Sequence, residues 1–337
     1  MTTHILRIAD TDQSFTCPDD DTVLRAAMRA GLSFPYECNV GSCGSCRFEL
    51  IEGEVGMAWP EAPAWNDRDR ERKRYLGCQA RAHGDCVIKY RQTDKYLPPH
   101  IPRKVAARLE AVRAITHDIS EFRFALAAPL TFEPGQYVLL QLPGVTGPRA
   151  YSMSSVAGDG LHLDLQVRRI DAGKGSPVLF GLSIGSEVGI DGPYGMAWLR
   201  RDAPRDILCL AGGSGLAPMI SIARGAMAEP ALAGRQLHFV YGGRTPRDIC
   251  GEDMLRALPG YGERLFYYPS ISNEPEPGVS WSGETGFVHD VAQKLFGARL
   301  GGMEIYFAGP PAMAMALIRM LRLAKINFDQ VHFDQFY

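Results

Sequence analysis

Four cysteines carry the most specific chemistry in this 337-residue chain. Three stand on one short stretch, Cys38-Asn39-Val40-Gly41-Ser42-Cys43-Gly44-Ser45-Cys46, spaced C-x4-C-x2-C, and Cys78 follows in Leu76-Gly77-Cys78-Gln79. That is the plant-type [2Fe–2S] spacing, three thiolates from one loop and a fourth from a distant segment. Two irons and two sulfides need four thiolates close together, so the loop has to curl tightly. Gly41 and Gly44 allow the curl, including positive φ. They also leave room for backbone N–H groups to point at sulfur, which helps set the reduction potential. The alternatives are a zinc site or unliganded thiols. Structural zinc usually takes two C-x2-C knuckles, and only Cys43 and Cys46 form one here.

Three further stretches suit a ligand that carries phosphates and a flat ring. In Arg149-Ala150-Tyr151-Ser152-Met153, an extended backbone puts Arg149 and Tyr151 on one face. The guanidinium offers bidentate phosphate contact and the tyrosine ring a stacking surface. In Gly173-Lys174-Gly175-Ser176-Pro177-Val178, Ser176 is a good helix N-cap and Pro177 a good first helical residue. The helix start then offers N–H groups to a pyrophosphate. In Gly212-Gly213-Ser214-Gly215-Leu216-Ala217-Pro218, a glycine-rich turn follows an apolar run at 207–211, and its glycines let the backbone approach phosphate. This turn departs from the G-x-G-x-x-G fingerprint. Each stretch also has a plain reading: strand surface pairing, an ordinary loop, and a doubly wound domain that binds nothing.

The length sets how these stretches must be carried. A chain of 337 residues exceeds one ordinary core, so two or three domains are expected. Residues 1–96 show strand patterns at 4–8, 14–17, 47–51 and 87–90. One helix is expected at 23–30, capped by Asp21 or Thr22 and stopped at Gly31. The proline-rich stretch ending in Leu97-Pro98-Pro99-His100-Ile101-Pro102 reads as a semi-rigid linker over 97–102. Residues 103–202 hold short alternating segments with Gly/Pro turns, the rhythm of an antiparallel barrel. Residues 203–337 alternate strands at 207–211, 238–242 and 304–308 with helices. That is the rhythm of a doubly wound parallel sheet with ligands at the strand carboxyl ends.

Composition narrows the class further. The charge run at 67–74 is either a solvated helix face or a docking surface. A net charge of −2 gives no basic surface for nucleic acid. The first twenty residues lack a signal-peptide apolar core, and the longest uncharged run, 207–223, is broken by glycines and Pro218. No membrane span is expected. Eight cysteines in this length are not a disulfide scaffold. Cys17, Cys86, Cys209 and Cys250 read as buried thiols, and free thiols beside a cluster fit a reducing cytoplasm.

A family resemblance runs through the same residues. Phe34-Pro35-Tyr36-Glu37-Cys38 and Leu76-Gly77-Cys78-Gln79 resemble the ferredoxin domains of reductases that feed bacterial multicomponent aromatic oxygenases. Trp59-Pro60-Glu61-Ala62-Pro63 and Arg68-Asp69-Arg70-Glu71 resemble that group more narrowly, the toluene monooxygenase and carbazole dioxygenase reductase type. Glu133-Pro134-Gly135-Gln136-Tyr137, with the Arg-x-Tyr-Ser and Gly-Lys-Gly-Ser stretches, resembles the flavin domain of the ferredoxin–NADP reductase superfamily. The glycine-rich turn, Gly192-Pro193-Tyr194-Gly195, Tyr241-Gly242-Gly243-Arg244 and Ala308-Gly309-Pro310-Pro311-Ala312-Met313 resemble its nicotinamide domain. The resemblance spans nearly the whole chain in matching domain order.

It implies a multidomain fold: a β-grasp plant-type ferredoxin domain, an antiparallel β-barrel flavin domain and an α/β doubly wound nicotinamide domain. It implies that Arg149, Tyr151, Ser152 and Met153 hold the flavin, with Ser152 near N5 and Tyr151 beside it at the reacting edge. Gln166, Val167 and Arg168 lie along the flavin, and Gly175 and Ser176 meet its pyrophosphate. Gly212, Gly213, Gly215, Pro218, Gly242, Arg244, Asp248, Gly309, Pro310 and Met313 are the nicotinamide-nucleotide residues. The superfamily usually has cysteine at Ala308, so no thiol is assigned to hydride transfer. The cluster-first order implies FAD, since related phthalate-type reductases carry FMN and place the ferredoxin last. Arg244 and Arg247 could meet a 2′-phosphate, but Asp248 would repel one, so NADH is expected over NADPH. Phe336 and Tyr337 end the chain either as a packed last strand or as a terminal aromatic near the isoalloxazine.

Three carriers in one chain imply a relay. NADH donates two electrons as hydride, a [2Fe–2S] cluster accepts one at a time, and a flavin converts between them. The expected function is the reductase component of a multicomponent aromatic-ring oxygenase. The acceptor is a di-iron hydroxylase or a Rieske-type oxygenase, directly or through a small ferredoxin, and a monomer is expected. The rivals are a reductase of an alkene or methane oxygenase or of deoxysugar synthesis, and a non-catalytic iron–sulfur redox sensor.

Overall fold

The structure, a computed structural model, describes residues 2–275 and 277–334. In its first third, strands β1 (Thr3–Ile8) and β2 (Ser14–Pro18) alternate exposed and buried residues and pair antiparallel. Strands β3 (Arg47–Glu52), β4 (Val55–Met57), β5 (Arg74–Leu76), β6 (Ala80–Ala82) and β7 (Cys86–Lys89) follow. The main sheet runs β2-β1-β7-β3-β5, with β1 and β7 parallel, while β4 and β6 form a separate ribbon. Helix α1 (Val23–Arg29) buries Val23, Leu24, Ala27 and Met28 in the same core as Phe34 and Phe48. This is the β-grasp arrangement.

Neither expected cap closes α1. Thr22 is the N-cap residue but makes no side-chain capping bond. Asp21 accepts from the Thr22 N–H and spends its remaining capacity on Arg29. The charge run forms α2 (Asp67–Glu71), started by a capping box between Asn66 and Asp69.

The middle third contains β8 (Arg103–Ala114), β9 (Ile119–Leu126), β10 (Tyr137–Gln141), β11 (Arg149–Ser152), β12 (His162–Arg168), α3 (Ser176–Phe180) and β13 (Glu187–Tyr194). The strands order as β11-β10-β13-β8-β9-β12. A bridge between Met153 and Leu165 brings the two edges together, so the barrel is nearly closed around Leu109, Phe122, Phe124, Leu140 and Leu163. Helix α3 starts one residue earlier than the sequence pattern implies. Gly175 is its N-cap, and Ser176 is the first helical residue. The Ser176 hydroxyl accepts from the Ile170 N–H at 2.9 Å instead of capping its own helix, pinning the preceding loop.

The last third contains β14 (Asp206–Gly212), α4 (Leu216–Ala228), β15 (Leu237–Gly243), α5 (Glu252–Arg256), β16 (Leu265–Ile271), β17 (Glu284–Thr285), α6 (Val288–Phe296), β18 (Met303–Ala308), α7 (Pro311–Leu323) and β19 (Val331–His332). All six strands are parallel, in the order β17-β16-β15-β14-β18-β19. The unbroken apolar run of β14 follows from burial on both faces. Ile207, Cys209 and Ala211 pack with α4, while Leu208 and Leu210 pack with α6 and α7.

Side chains tie the three parts together. Arg29 on α1 grips Asp191 of β13 at 2.8 and 2.9 Å and Asp21 at 2.8 Å. Burial pulls the Arg29 guanidinium down, but its bonds to Asp191 and Asp21 outweigh that and hold it above its ordinary value. Across the second boundary, Arg224 of α4 donates to the Ser154 carbonyl at 2.8 Å and Ser221 to the Ser155 carbonyl at 2.7 Å. Among the described residues no helix is long and apolar enough to cross a membrane.

Candidate functional site

The thiol loop is held from both ends by arginines. Arg25 of α1 donates to the Asn39 side chain and backbone carbonyl, both at 3.1 Å, which fixes Asn39 at a φ of 55°. Gly41 and Gly44 adopt φ values of 91° and 78°, open to glycine at little cost. Arg47 then donates to the Gly44 carbonyl at 2.8 Å, to the Ala64 carbonyl and to Asp69 of α2. The distant segment is brought in by Gly77, whose N–H donates to the Cys46 carbonyl at 2.8 Å.

Backbone N–H groups point at sulfur as the spacing implies. Val40 and Cys43 approach Cys38 Sγ at 3.5 and 3.4 Å, and Ser45 approaches Cys43 Sγ at 3.5 Å. The four thiols fall into two pairs. Its bond with Cys38 holds Cys43 down at about 5, and its bond with Cys46 holds Cys78 below the ordinary thiol value. The same bonds, with burial, push Cys38 and Cys46 up. Among the described residues no three His, Cys, Asp or Glu side chains converge as one metal ion would require. Three thiols on the loop, with the Cys78 segment tied to it by the Gly77–Cys46 bond, are the donor set of a [2Fe–2S] cluster.

A cleft of about 760 Å³ opens between the barrel and the carboxyl ends of β14 and β18. Arg149, Tyr151 and Ser152 line one wall, with Gln166, Val167, Arg168, Gly175 and Ser176. Arg149 and Tyr151 do share a face, and both lie against Gly175. A Cβ there would meet Arg149 Cγ at 2.8 Å and the Tyr151 hydroxyl at 3.1 Å. Arg149 Nη1 is steadied by the carbonyls of Thr146, Gly147 and Pro148, each at 3.1 Å. Gln166 donates to Glu121 at 2.9 Å, and its Oε1 is buried without a partner. An orphan acceptor and a cradle kept open by glycine both fit a planar, hydrogen-bonding ligand such as a flavin. Met153 is the exception among the expected residues: its side chain is wholly buried in the barrel core and does not line the cleft.

The facing wall carries Gly212, Gly213, Gly215, Pro218, Gly309 and Pro310. A second cavity of about 410 Å³ continues from it, lined by Gly242, Arg244, Asp248 and Met313. The two cavities share Arg168, Gly212, Gly213, Arg244 and Pro310, so together they form one elongated site. A Cβ at Gly212 or Gly309 would sit 2.8 or 2.7 Å from Met313 Sδ, which shows how closely these turns pack. Thr245 donates to Asp248 through its N–H and its hydroxyl, at 2.9 and 3.0 Å. Burial opposes the Asp248 charge, but these bonds, with His117 nearby, hold its carboxyl below the ordinary value. Arg247 does not line the cavity.

Several lining residues lie outside every motif. Asp118, Phe287 and His289 reach the second cavity, and Asp334 reaches the first. Val40 lies inside the thiol loop yet lines the cleft with Ser152. Its signal was available in the sequence, as the one branched apolar side chain between Cys38 and Cys46. Phe336 and Tyr337 lie outside the described residues.

Comparison with known proteins covers all three parts. Residues 6–83 match the 2Fe-2S iron-sulfur cluster binding domain, 106–198 the oxidoreductase FAD-binding domain and 209–318 the oxidoreductase NAD-binding domain. The chain is 37% identical over 334 residues to a ferredoxin–NAD(P)(+) reductase of Metapseudomonas resinovorans, covering 96% of each. It is 37% identical over 327 residues to the ferredoxin–NAD(+) reductase component of an alkene monooxygenase system from Xanthobacter autotrophicus, covering 96% of this chain and 98% of the relative. A solved ferredoxin reductase in carbazole 1,9a-dioxygenase superposes with a TM-score of 0.91 at 34% identity, over 100% of this chain and 99% of that one. With its thiol loop, flavin cleft and dinucleotide turns in one molecule, the chain belongs to the ferredoxin–NAD(P)(+) reductases, as an NADH-dependent oxidoreductase with FAD and a [2Fe–2S] cluster.

Proposed function

We propose that the chain is the reductase component of a multicomponent aromatic-ring oxygenase, delivering electrons from NADH to the oxygenase or to an intermediary ferredoxin. One observation carries this reading: Val40 of the thiol loop lines the same cleft as Tyr151 and Ser152. A cluster at that loop needs no separate carrier between it and a ligand in the cleft. The named relatives support the partner class, since they include the reductase component of an alkene monooxygenase system and the ferredoxin reductase in carbazole 1,9a-dioxygenase.

Cys38 and Cys43 would hold one iron and Cys46 and Cys78 the other. Arg149 would meet the flavin phosphates, Tyr151 would stack on its rings, Ser152 would face N5, and Gly175 and Ser176 would leave room for the pyrophosphate. A flavin held by these residues would supply the change from hydride to single electrons that the cluster requires. Arg168, held by Asp118 at 2.6 Å, stands where the two cavities join and would orient the nicotinamide nucleotide between them. Gly212, Gly213, Gly215, Pro218, Gly309, Pro310 and Met313 would take its pyrophosphate, and Gly242 and Arg244 its adenosine end. Asp248, fixed by Thr245, would accept from a free ribose hydroxyl and repel a 2′-phosphate, which favours NADH.

The reading extends to a monomer in the cytoplasm, with functional units divided near residues 96, 103 and 203. The acceptor is a di-iron hydroxylase or a Rieske-type oxygenase. The alkene system relative supports a second reading, a reductase serving an alkene oxygenase on the same scaffold. NADH-driven turnover with each purified oxygenase separates the two.

The relay itself is tested with Cys78→Ser. This variant should lose the cluster and keep NADH-driven reduction of a dye, while failing to reduce cytochrome c or support an oxygenase. Cytochrome c reduction at the normal rate would take the cluster off the path.

A further inference from the structure

Two tyrosines meet where the thiol loop rests on the barrel, and each bonds the other side's backbone. Tyr137 of β10 donates its hydroxyl proton to the Glu37 carbonyl at 2.6 Å, one residue before Cys38. Tyr36 accepts at its hydroxyl from the Gly195 N–H at 2.9 Å, one residue past β13. Both are buried, Tyr137 at 0% and Tyr36 at 2% exposure. Tyr194 lies between them, with ring centroids 6.2 Å from Tyr36 and 6.1 Å from Tyr137. Its hydroxyl donates to Asp191, the carboxylate that Arg29 grips from α1.

Packing alone does not require these hydroxyls. Phe34 and Phe48 fill the same core without them, and a buried hydroxyl costs stability unless it is bonded. Their placement is specific. Tyr137 stands directly opposite Ser152 in the β10–β11 register, so it shares a backbone ladder with the flavin-cleft wall. Its bond ends on Glu37, and three residues further on Val40 lines that cleft. The tyrosines therefore join the strand pair that builds the cleft to the loop that carries the first thiol. Contacts between domains ordinarily leave room for relative motion, and two reciprocal bonds at this point remove it where separation matters most.

We infer that Tyr36 and Tyr137 are positioning residues that hold the cluster loop against the flavin cleft, so that electrons cross from flavin to cluster in this docked arrangement without a domain swing. The inference rests on the relay proposed above. One electron at a time leaves the reduced flavin and enters the oxidised cluster. The proton gained with the hydride leaves the flavin for solvent by the time the second electron has gone, and both tyrosine hydroxyls keep their own protons.

The test uses the full, cofactor-loaded chain with Tyr36→Phe, Tyr137→Phe and the double variant. Phenylalanine keeps each ring and removes only the hydroxyl. After rapid mixing with NADH, flavin bleaching should keep its rate, while cluster reduction slows about tenfold in each single variant, the bias one buried hydrogen bond supplies. The EPR spectrum of the dithionite-reduced cluster should be unchanged, since no thiol is touched. Without NADH, amide hydrogen exchange at Gly195 and Val40 should rise in the variants. Faster exchange with an unchanged cluster phase would reduce the tyrosines to structural contacts and overturn the inference. So would unchanged exchange, or an equal slowing of flavin bleaching. Failure of the relay is a separate result, read from Cys78→Ser with normal cytochrome c reduction.

Discussion

Replacing Gly215 by alanine probes the glycine-rich turn after β14 where it packs most tightly. A Cβ built there falls 2.0 Å from the Ala308 carbonyl oxygen and 2.3 Å from its carbon. Both are backbone atoms, so no side-chain rotation relieves the contact. Reaching an ordinary separation of 3.4 Å requires the start of α4 and the end of β18 to part by about 1.4 Å. Those two elements carry Pro218 on one side and Gly309 and Pro310 on the other, so the gap opens in the wall of the cleft proposed to hold the dinucleotide. Overpacking of this kind costs about 1–3 kcal/mol. If ~2 kcal/mol of it falls on the bound state, NADH affinity weakens roughly 30-fold. The assay is NADH-dependent dye reduction, reading KM, alongside the melting temperature. Gly234 has open space around its Cβ position, and Gly234→Ala should leave both values unchanged. A Gly215→Ala enzyme with normal KM and normal melting would show that the turn is not held as tightly as described.

Three other perturbations test separate parts of the molecule. Arg149→Ala removes a charged donor from the cleft and should raise the FAD dissociation constant about 10- to 100-fold, from ~1.5–3 kcal/mol for a charge-assisted bond. Fluorescence titration of the apoprotein reads it, and unchanged affinity would place the phosphate contact elsewhere. Arg29→Met strands the buried carboxylates of Asp21 and Asp191, whose side chains are 3% and 15% exposed. It should cost about 3–5 kcal/mol, with part recovered by adding Asp191→Asn; an unaltered denaturant midpoint would refute it. The third concerns pH. Burial holds the His332 ring below its ordinary value, and bonds from His332 and Arg205 outweigh burial to hold Glu304 below its own. Both groups bind protons less readily when folded, so their contribution is present at neutral pH and lost on acidification through the histidine and then the carboxylate range. Melting between pH 7.5 and 4.5 should fall less steeply in His332→Gln across the upper part of that range, and an identical slope would exclude the pair as its source.

Patterns set by neighbouring residues were the most legible in the sequence. The cysteine spacing, the two-sided apolar run of β14 and the shared face of Arg149 and Tyr151 all depend on a few consecutive positions. Ser176 shows where such reading slips. A serine before proline looks like a cap, but the Ile170 N–H is close enough to take its hydroxyl, and the cap passes to Gly175. Met153 continues a motif by position, yet β11 ends at Ser152 and the next side chain turns into the barrel to meet Leu165. Arg25, Arg47 and Asp118 carried no local signal, because Arg25 meets Asn39 14 residues on, Arg47 meets Asp69 22 residues on besides its near contact with Gly44, and Asp118 reaches a cavity lined mostly by the last third of the chain.

The Arg29 network also bears on recombination between proteins. Its guanidinium and Asp21 belong to the N-terminal module, and Asp191 belongs to the barrel. A chimera that grafts a foreign ferredoxin onto this barrel at the proline-rich spacer would inherit a half-buried aspartate left with the Tyr194 hydroxyl but without its arginine. The reverse graft would carry an arginine with half its partners missing. Shuffling at this junction is therefore productive only when both halves of the charge set travel together, or when Asp191 is exchanged for a neutral residue in the same step.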